Sequence, residues 1–235
     1  MSGVAGVVLA AGEGRRLRPL TLERPKPLCP VGNEPLVDRA VRLVRHAVAD
    51  VAVNVHHGRA AMVDHLEQLA DVTPGEPVHV SLEVERALGT AGALGHLRPW
   101  LAGRSALVVN ADAWSDPDLR SFVEEWDQER TRILVVGHEP FGPRSRVVAS
   151  LMPWAVIKHL EAAPSGLYEQ VWRAAAADGA LETCAHDGAF VDCGTPGSYL
   201  AANLLAVRAS GRGAIVSGAA QADAGVVSDS VVGAG

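Results

Sequence analysis

The sequence predicts an α/β fold, a mixed but mostly parallel sheet with helices on both of its faces. Short apolar runs rich in Val, Ala and Leu alternate with segments whose apolar residues recur at helical spacing, the rhythm of a sheet buried on both sides. The first run empties directly into a loop of glycines and arginines, and a later one ends at an aspartate. Both features place chemistry at the carboxyl edge of such a sheet. With 48% hydrophobic residues the chain can bury a real core. Residues 1–210 read as one domain, and 211–235 as a piece of different character.

Residues 4–11 form the first expected strand, followed by Gly12, Gly14, Arg15, Arg16 and Lys26. The glycines lack the Cβ atoms that would hold a phosphate away from backbone N–H groups. Arg16 offers a planar fork of donors and Lys26 a point charge, so the loop outlines an anion site. The alternative is a plain glycine turn with solvated arginines.

Leu36, Val37, Ala40, Val41, Val44 and Val48 then share one helical face, opposite Asp38, Arg39, Arg42 and Arg45. Residues 51–55 read as a second strand and 60–70 as a second helix. Residues 78–84 alternate as a third strand and run into LGTAGAL at 88–94. There Thr90 is placed to cap a helix, and Gly89 and Gly92 to admit a flat group against the backbone. A bare helix start reads equally well at this point. Residues 106–110 give another buried strand, with Asp112 just beyond its end, suited to Mg²⁺ or to a helix cap. For the helix expected at 119–130, Asp116 with Pro117 is the better N-cap and N1 pair. A fifth strand follows at 133–137, helical segments at 153–160 and 168–178, and a last helix at 199–210 ended by Gly211 and Gly213. In the tail Ala214, Ala220, Val226 and Val232 recur every six positions.

Composition excludes several classes. A formal net charge of −6 lacks the footprint of a nucleic-acid binder, although basic residues cluster near the start, which indicates a small anionic ligand. Cys29, Cys184 and Cys193 are odd in number and far apart, without a disulfide framework or zinc spacing, as expected in a reducing cytoplasm. The first apolar run is short, has no positive charge before it and meets the arginine loop, which argues against a secretory signal. No run is long enough to span a membrane.

A dinucleotide fingerprint wants glycine where this chain has Leu17, and a Walker loop wants Lys and Ser or Thr directly after its last glycine. Neither fits. Instead GEGRRLRPLTLERPKPLCPVGNEPL, residues 12–36, resembles the signature GxGxRLxPLTxxxPKPLxPVxxxPL of the sugar-1-phosphate nucleotidyltransferases, also called NDP-sugar pyrophosphorylases. LGTAGAL, VVNADAW and FVDCGTP resemble that family's LGTAGxL, VxNGDxW and FxDxGTP, with Ala111 in place of the usual glycine.

The resemblance implies the Rossmann-like nucleotide-diphospho-sugar transferase fold and transfer of a nucleoside monophosphate from an NTP to a sugar 1-phosphate. It implies catalytic roles for Arg16 and Lys26, and nucleotide contacts from Leu9, Ala10, Ala11, Gly12, Glu13, Gly14, Arg15, Gly89, Thr90, Ala91 and Gly92. It makes Asp112 and Asp192 the ligands of Mg²⁺. Relatives using guanosine and uridine triphosphates share the LGTAG loop, so base and sugar stay open. Many family members append a left-handed parallel β-helix, whose opening the tail resembles, giving a possible route to a homo-oligomer; a flexible Gly/Ala tail is the alternative.

The chain departs from the family after Gly137, where a Glu-Lys-Pro element for the acceptor is absent. Its only lysines are Lys26 and Lys158, and Lys158 lacks the context to take that role. Arg144 and Arg146 either supply the missing charge or are simply solvated. Two rival readings follow: a non-catalytic nucleotide-sugar-binding regulatory relative, and a transferase for a different phosphorylated acceptor. An NAD oxidoreductase is opposed by Leu17 and by the lack of a Tyr/Lys or Cys catalytic pair. His56 and His57 are expected to be unpaired loop histidines.

Overall fold

A computed structural model describes residues 3–72, 77–217, 228 and 230–233. Its centre is a seven-stranded sheet in the order Leu181–His186, Thr131–Val136, Val147–Met152, Ser105–Asn110, Val4–Leu9, Val51–Val55, His79–Leu82. Every neighbouring pair is parallel except those made by Val147–Met152, which runs antiparallel to both of its partners.

Side chains alternate along the central strand. Val8 joins Val53, Leu107, Val109 and the inward face of the Leu36–Arg45 helix in one core. Ala5, Val7 and Leu9 point the other way, into a second core with Leu94, Leu97 and Leu101 of the Gly89–Leu101 helix and with Ile157. Burial on both faces is why these strands read as unbroken apolar runs. Gly6 lets the Leu36–Arg45 helix come close: a Cβ there would run into the Val44 side chain.

The helix expected at 119–130 stops earlier, at Leu119–Glu124. Its cap is Asp118 and not Asp116, because the Asp118 carboxylate accepts from Ser121 N–H at 3.1 Å and from Ser121 Oγ–H at 2.7 Å. The strand Val147–Met152 was not expected. It slots between Ser105–Asn110 and Thr131–Val136, so the segment after Gly137 crosses the sheet instead of joining a helix directly.

A third, smaller core of Val31, Leu36, Trp114, Cys193, Ala202 and Ala206 holds the Pro196–Ala209 helix and the two-stranded pair Ala113–Ser115 with Phe190–Asp192 against the domain. Thr195 and Ser198 form a reciprocal capping box with Pro196 in the first turn, which stops the chain just after Asp192. In the tail Ala214–Val216 pairs in parallel with Ser230–Val232. Ile215 packs against the third core, and Asn33 Nδ2 donates to Val232 O at 3.0 Å. Ala220 and Val226 of the six-residue recurrence lie outside the described residues.

Candidate active site

The first strand delivers the chain to a cleft of about 380 Å³ at the carboxyl edge of the sheet. Its floor and one wall come from Leu9, Ala10, Ala11, Gly12, Gly14, Arg15 and Arg16, all anticipated from the sequence. Gly14 has φ of 68°, a left-handed conformation, and a Cβ there would press on Lys26 and Thr21. The loop therefore folds flat against the following turn, with Thr21 Oγ1 donating to Gly14 O at 2.9 Å.

That return path buries Lys26. Its side chain is 7% exposed, yet its ammonium reaches the cleft and donates to Asp112 Oδ2 at 3.1 Å and Asp192 Oδ1 at 3.4 Å. Asp112 stands just past the Ser105–Asn110 strand. Asp192 ends the Phe190–Asp192 strand, opposite Ala113, and Cys193 N–H donates to Asp112 O at 3.0 Å. The small sheet thus brings two distant aspartates onto one lysine. Arg16 Nη2 lies 3.7 Å from Asp192 Oδ2, on a side chain that is 72% exposed and free to turn toward a ligand.

Asp112 and Asp192 are about half exposed, at 50% and 48%. Two converging carboxylates with open coordination space suit a hard cation such as Mg²⁺, which fills its shell with water and phosphate oxygens. Among the described residues no group of three or more His, Cys, Asp and Glu could hold a metal by protein alone. A cation here would share its shell with substrate.

The second glycine segment divides. Gly89, with φ of 69°, and Thr90 line the cleft. Ala91 and Gly92 do not; they are buried in the helix. A Cβ on Gly92 would meet the Ala163 carbonyl oxygen, so this glycine admits the protein's own backbone and not a flat ligand. Thr90 is not a cap either. Leu88 takes the cap position, and Thr90 Oγ1 accepts from Leu167 N–H at 2.8 Å.

Glu13 also turns away from the cleft and pairs with Arg15 and, at 3.1 Å, with Arg18. The Arg15 hydrogen bond holds its carboxyl below the usual range. His57 Nε2 lies 3.9 Å from Glu13, and His56 Nδ1 contacts Glu83 O at 2.6 Å, so both loop histidines have partners after all. Sequence reasoning missed Pro27, Asn54, Ala87, Asn110 and Gly194, which also line the cleft. Asn110 and Gly194 sit beside the two motif aspartates and were findable from that position, whereas a lone Asn in an apolar strand gave no signal.

A model described as nucleotidyl transferase matches residues 5–143. The chain belongs to this nucleotidyl transferase family. It is 28% identical to a mannose-1-phosphate guanyltransferase of Emericella nidulans, over 85% of this chain and 63% of that protein. It is 33% identical to an N-acetylmuramate alpha-1-phosphate uridylyltransferase of Caulobacter vibrioides, over 55% of this chain and 56% of that one. The chain thus spans less than two thirds of the length of these curated relatives. The solved UDP-glucose pyrophosphorylase from Acinetobacter baumanii shares the fold, with a TM-score of 0.68 at 16% identity, covering 87% of this chain and 93% of that one. This nucleotidyl transferase domain therefore has the mostly parallel sheet of its relatives.

Proposed function

We propose that this nucleotidyl transferase moves a nucleoside monophosphate from an NTP to a sugar 1-phosphate and releases pyrophosphate. The observation that carries the reading is the meeting of Lys26, Asp112 and Asp192 at a cleft walled by the glycine and arginine loop. An oxygen of the acceptor phosphate forms a bond to the α-phosphorus. The bond from that phosphorus to the bridging oxygen breaks, and pyrophosphate leaves with its electron pair.

The nucleophile is already an anion and needs no side-chain base; positioning and charge neutralisation carry the catalysis. A cysteine nucleophile has no support, since burial pushes the Cys193 thiol up to about 12 and raises Cys29 and Cys184 as well. Arg16 and the backbone N–H groups of residues 12–15 hold the departing phosphates. Lys26, fixed by burial between two carboxylates, neutralises charge at the reacting centre. Leu9, Ala10, Ala11, Gly89 and Thr90 frame the nucleoside. Mg²⁺ bound by Asp112 and Asp192 would neutralise charge on the α-phosphate and the incoming phosphate. The three free cysteines favour a reducing cytoplasm as the compartment.

The test is pyrophosphate release with Mg²⁺, each common NTP being paired with mannose 1-phosphate, glucose 1-phosphate and N-acetylmuramate 1-phosphate. Release that requires one particular pair is expected. Binding of an NTP without release across the panel would favour the regulatory reading.

A further inference from the structure

Two buried polar side chains, one in the wall of the cleft and one behind it, have no part in the steps above. Asn54, in the Val51–Val55 strand, is 2% exposed, and so is Glu83, just past the His79–Leu82 strand. Three hydrogen bonds link them in a line: Ala10 N–H donates to Asn54 Oδ1 at 2.8 Å, Asn54 Nδ2 to Glu83 Oε1 at 2.7 Å, and Leu88 N–H to Glu83 Oε2 at 2.7 Å. Both ends of the line are backbone donors, which cannot reverse. The Ala10 amide fixes which end of Asn54 is the oxygen, so its NH₂ group must face Glu83. Glu83 therefore meets a donor on each side and needs an acceptor at both of its oxygens. A carboxylate fits this polarity. Its amide does not, because Gln would set an NH₂ group against one of two donors.

Burying a carboxylate is costly, and an apolar pair would fill the same space more cheaply. What the line joins explains its use. Ala10 and Asn54 line the cleft, Leu88 immediately precedes Gly89 on the opposite wall, and Glu83 itself does not reach the cleft. We propose that Glu83 is a positioning residue of the nucleotide site. Acting through Asn54 and Leu88, it locks the start of the phosphate loop to the Gly89 turn and so sets the width of the slot that takes the nucleoside end of an NTP. This inference rests on the NTP reading of the cleft.

The polarity supplies its own test. In Glu83→Gln the chain of donors and acceptors is broken, and in Asn54→Asp two carboxylates confront each other. Combining Asn54→Asp with Glu83→Gln closes it again. The new carboxylate at position 54 accepts from Ala10 N–H and from the new side-chain NH₂ group at position 83, whose amide oxygen accepts from Leu88 N–H. GTP, UTP, ATP and dTTP are titrated calorimetrically into each protein without acceptor, beside thermal unfolding. Each single variant is expected to weaken NTP binding about tenfold or more, and the double variant to return within about threefold of wild type.

Wild-type affinity in Glu83→Gln overturns the proposal, as does a double variant that binds no better than Glu83→Gln. A double variant that recovers thermal stability without affinity reduces the pair to a structural role and overturns it too. Should Glu83→Gln fail to fold, a double variant that folds and binds supports the proposal, and one that fails to fold overturns it. A wild-type protein that binds none of the four NTPs sinks the underlying reading itself, a result separate from indifference of the variants.

Discussion

The two halves of the sheet's carboxyl edge are built differently. On one side the loop after Leu9 folds back on itself, buries Lys26 and aims it at two aspartates, while Asn54 and Glu83 tie the loop to the Gly89 turn. On the other side the edge is continued by the 137–146 loop, since Thr131–Val136 and Ser105–Asn110 run in the same direction on either side of Val147–Met152. Among the described residues no buried Lys or Arg stands on that side of the edge. Arg144 and Arg146 are exposed, Arg146 lying over the Phe190 ring, and Phe141 packs near the rings of Tyr168 and Trp172. The family match covers residues 5–143 and ends inside this loop. The first half is thus tied together by buried hydrogen bonds and the second is exposed; on the proposed reading they are the nucleotide side and the acceptor side.

The comparison breaks most readily at Asp112 and Asp192, the pair proposed to hold Mg²⁺. Asp112→Asn keeps shape and hydrogen bonding but removes charge, and kcat for pyrophosphate release should fall about a thousandfold with little change in thermal unfolding. Wild-type turnover in this variant would remove Asp112 from the chemistry. Next comes Lys26→Met, which retains the buried stem and deletes the ammonium. A loss of about a hundredfold in kcat is expected, and an effect confined to stability would make Lys26 merely a strut.

Much of the nucleotide side was legible because its chemistry lies on contiguous runs. The strand at Val51–Val55, the Lys26 loop and the two aspartates all stand where spacing and motif placed them. The acceptor side was not, and the reason is physical. VVASLM is a short apolar run that does not reveal its partners, so the antiparallel strand Val147–Met152 emerged only from the sheet. Gly92 misled because a glycine that admits the chain's own backbone looks, in sequence, like one that admits a ligand; Thr90 lines the cleft as expected and misled only as a cap, since its hydroxyl serves Leu167 N–H. Asp116 lost the cap to Asp118 because two candidate carboxylates stood within one turn. Asn54 and Glu83 carry no motif between them, and only their hydrogen bonds single them out.

Smaller effects sharpen the same contrast. Replacing both Arg144 and Arg146 with Ala should change acceptor KM by less than about threefold, as expected of solvated side chains. A tenfold rise in KM at constant kcat would instead assign acceptor binding to that loop. The smallest expected effect is a control away from the cleft. His65 Nε2 lies 2.6 Å from Asp38 Oδ1, and this hydrogen bond raises the imidazole above its ordinary value. A raised folded value stabilises below the unfolded value of about 6.5, and the contribution is lost as pH climbs through the folded value. Urea unfolding should show Asp38→Asn costing more at pH 6 than at pH 9, by about 1 kcal/mol or less, with NTP binding unchanged. An equal cost at both pH values would mean that the pair does not titrate across this range.

The most direct test of a preorganised nucleotide side is equilibrium binding of each common NTP, with Mg²⁺ and without any acceptor. Saturable binding of at least one NTP, weakened in Lys26→Met, is what a prebuilt site predicts. Binding that appears only after a sugar 1-phosphate is added would contradict it, since the nucleotide site would then be completed by the acceptor.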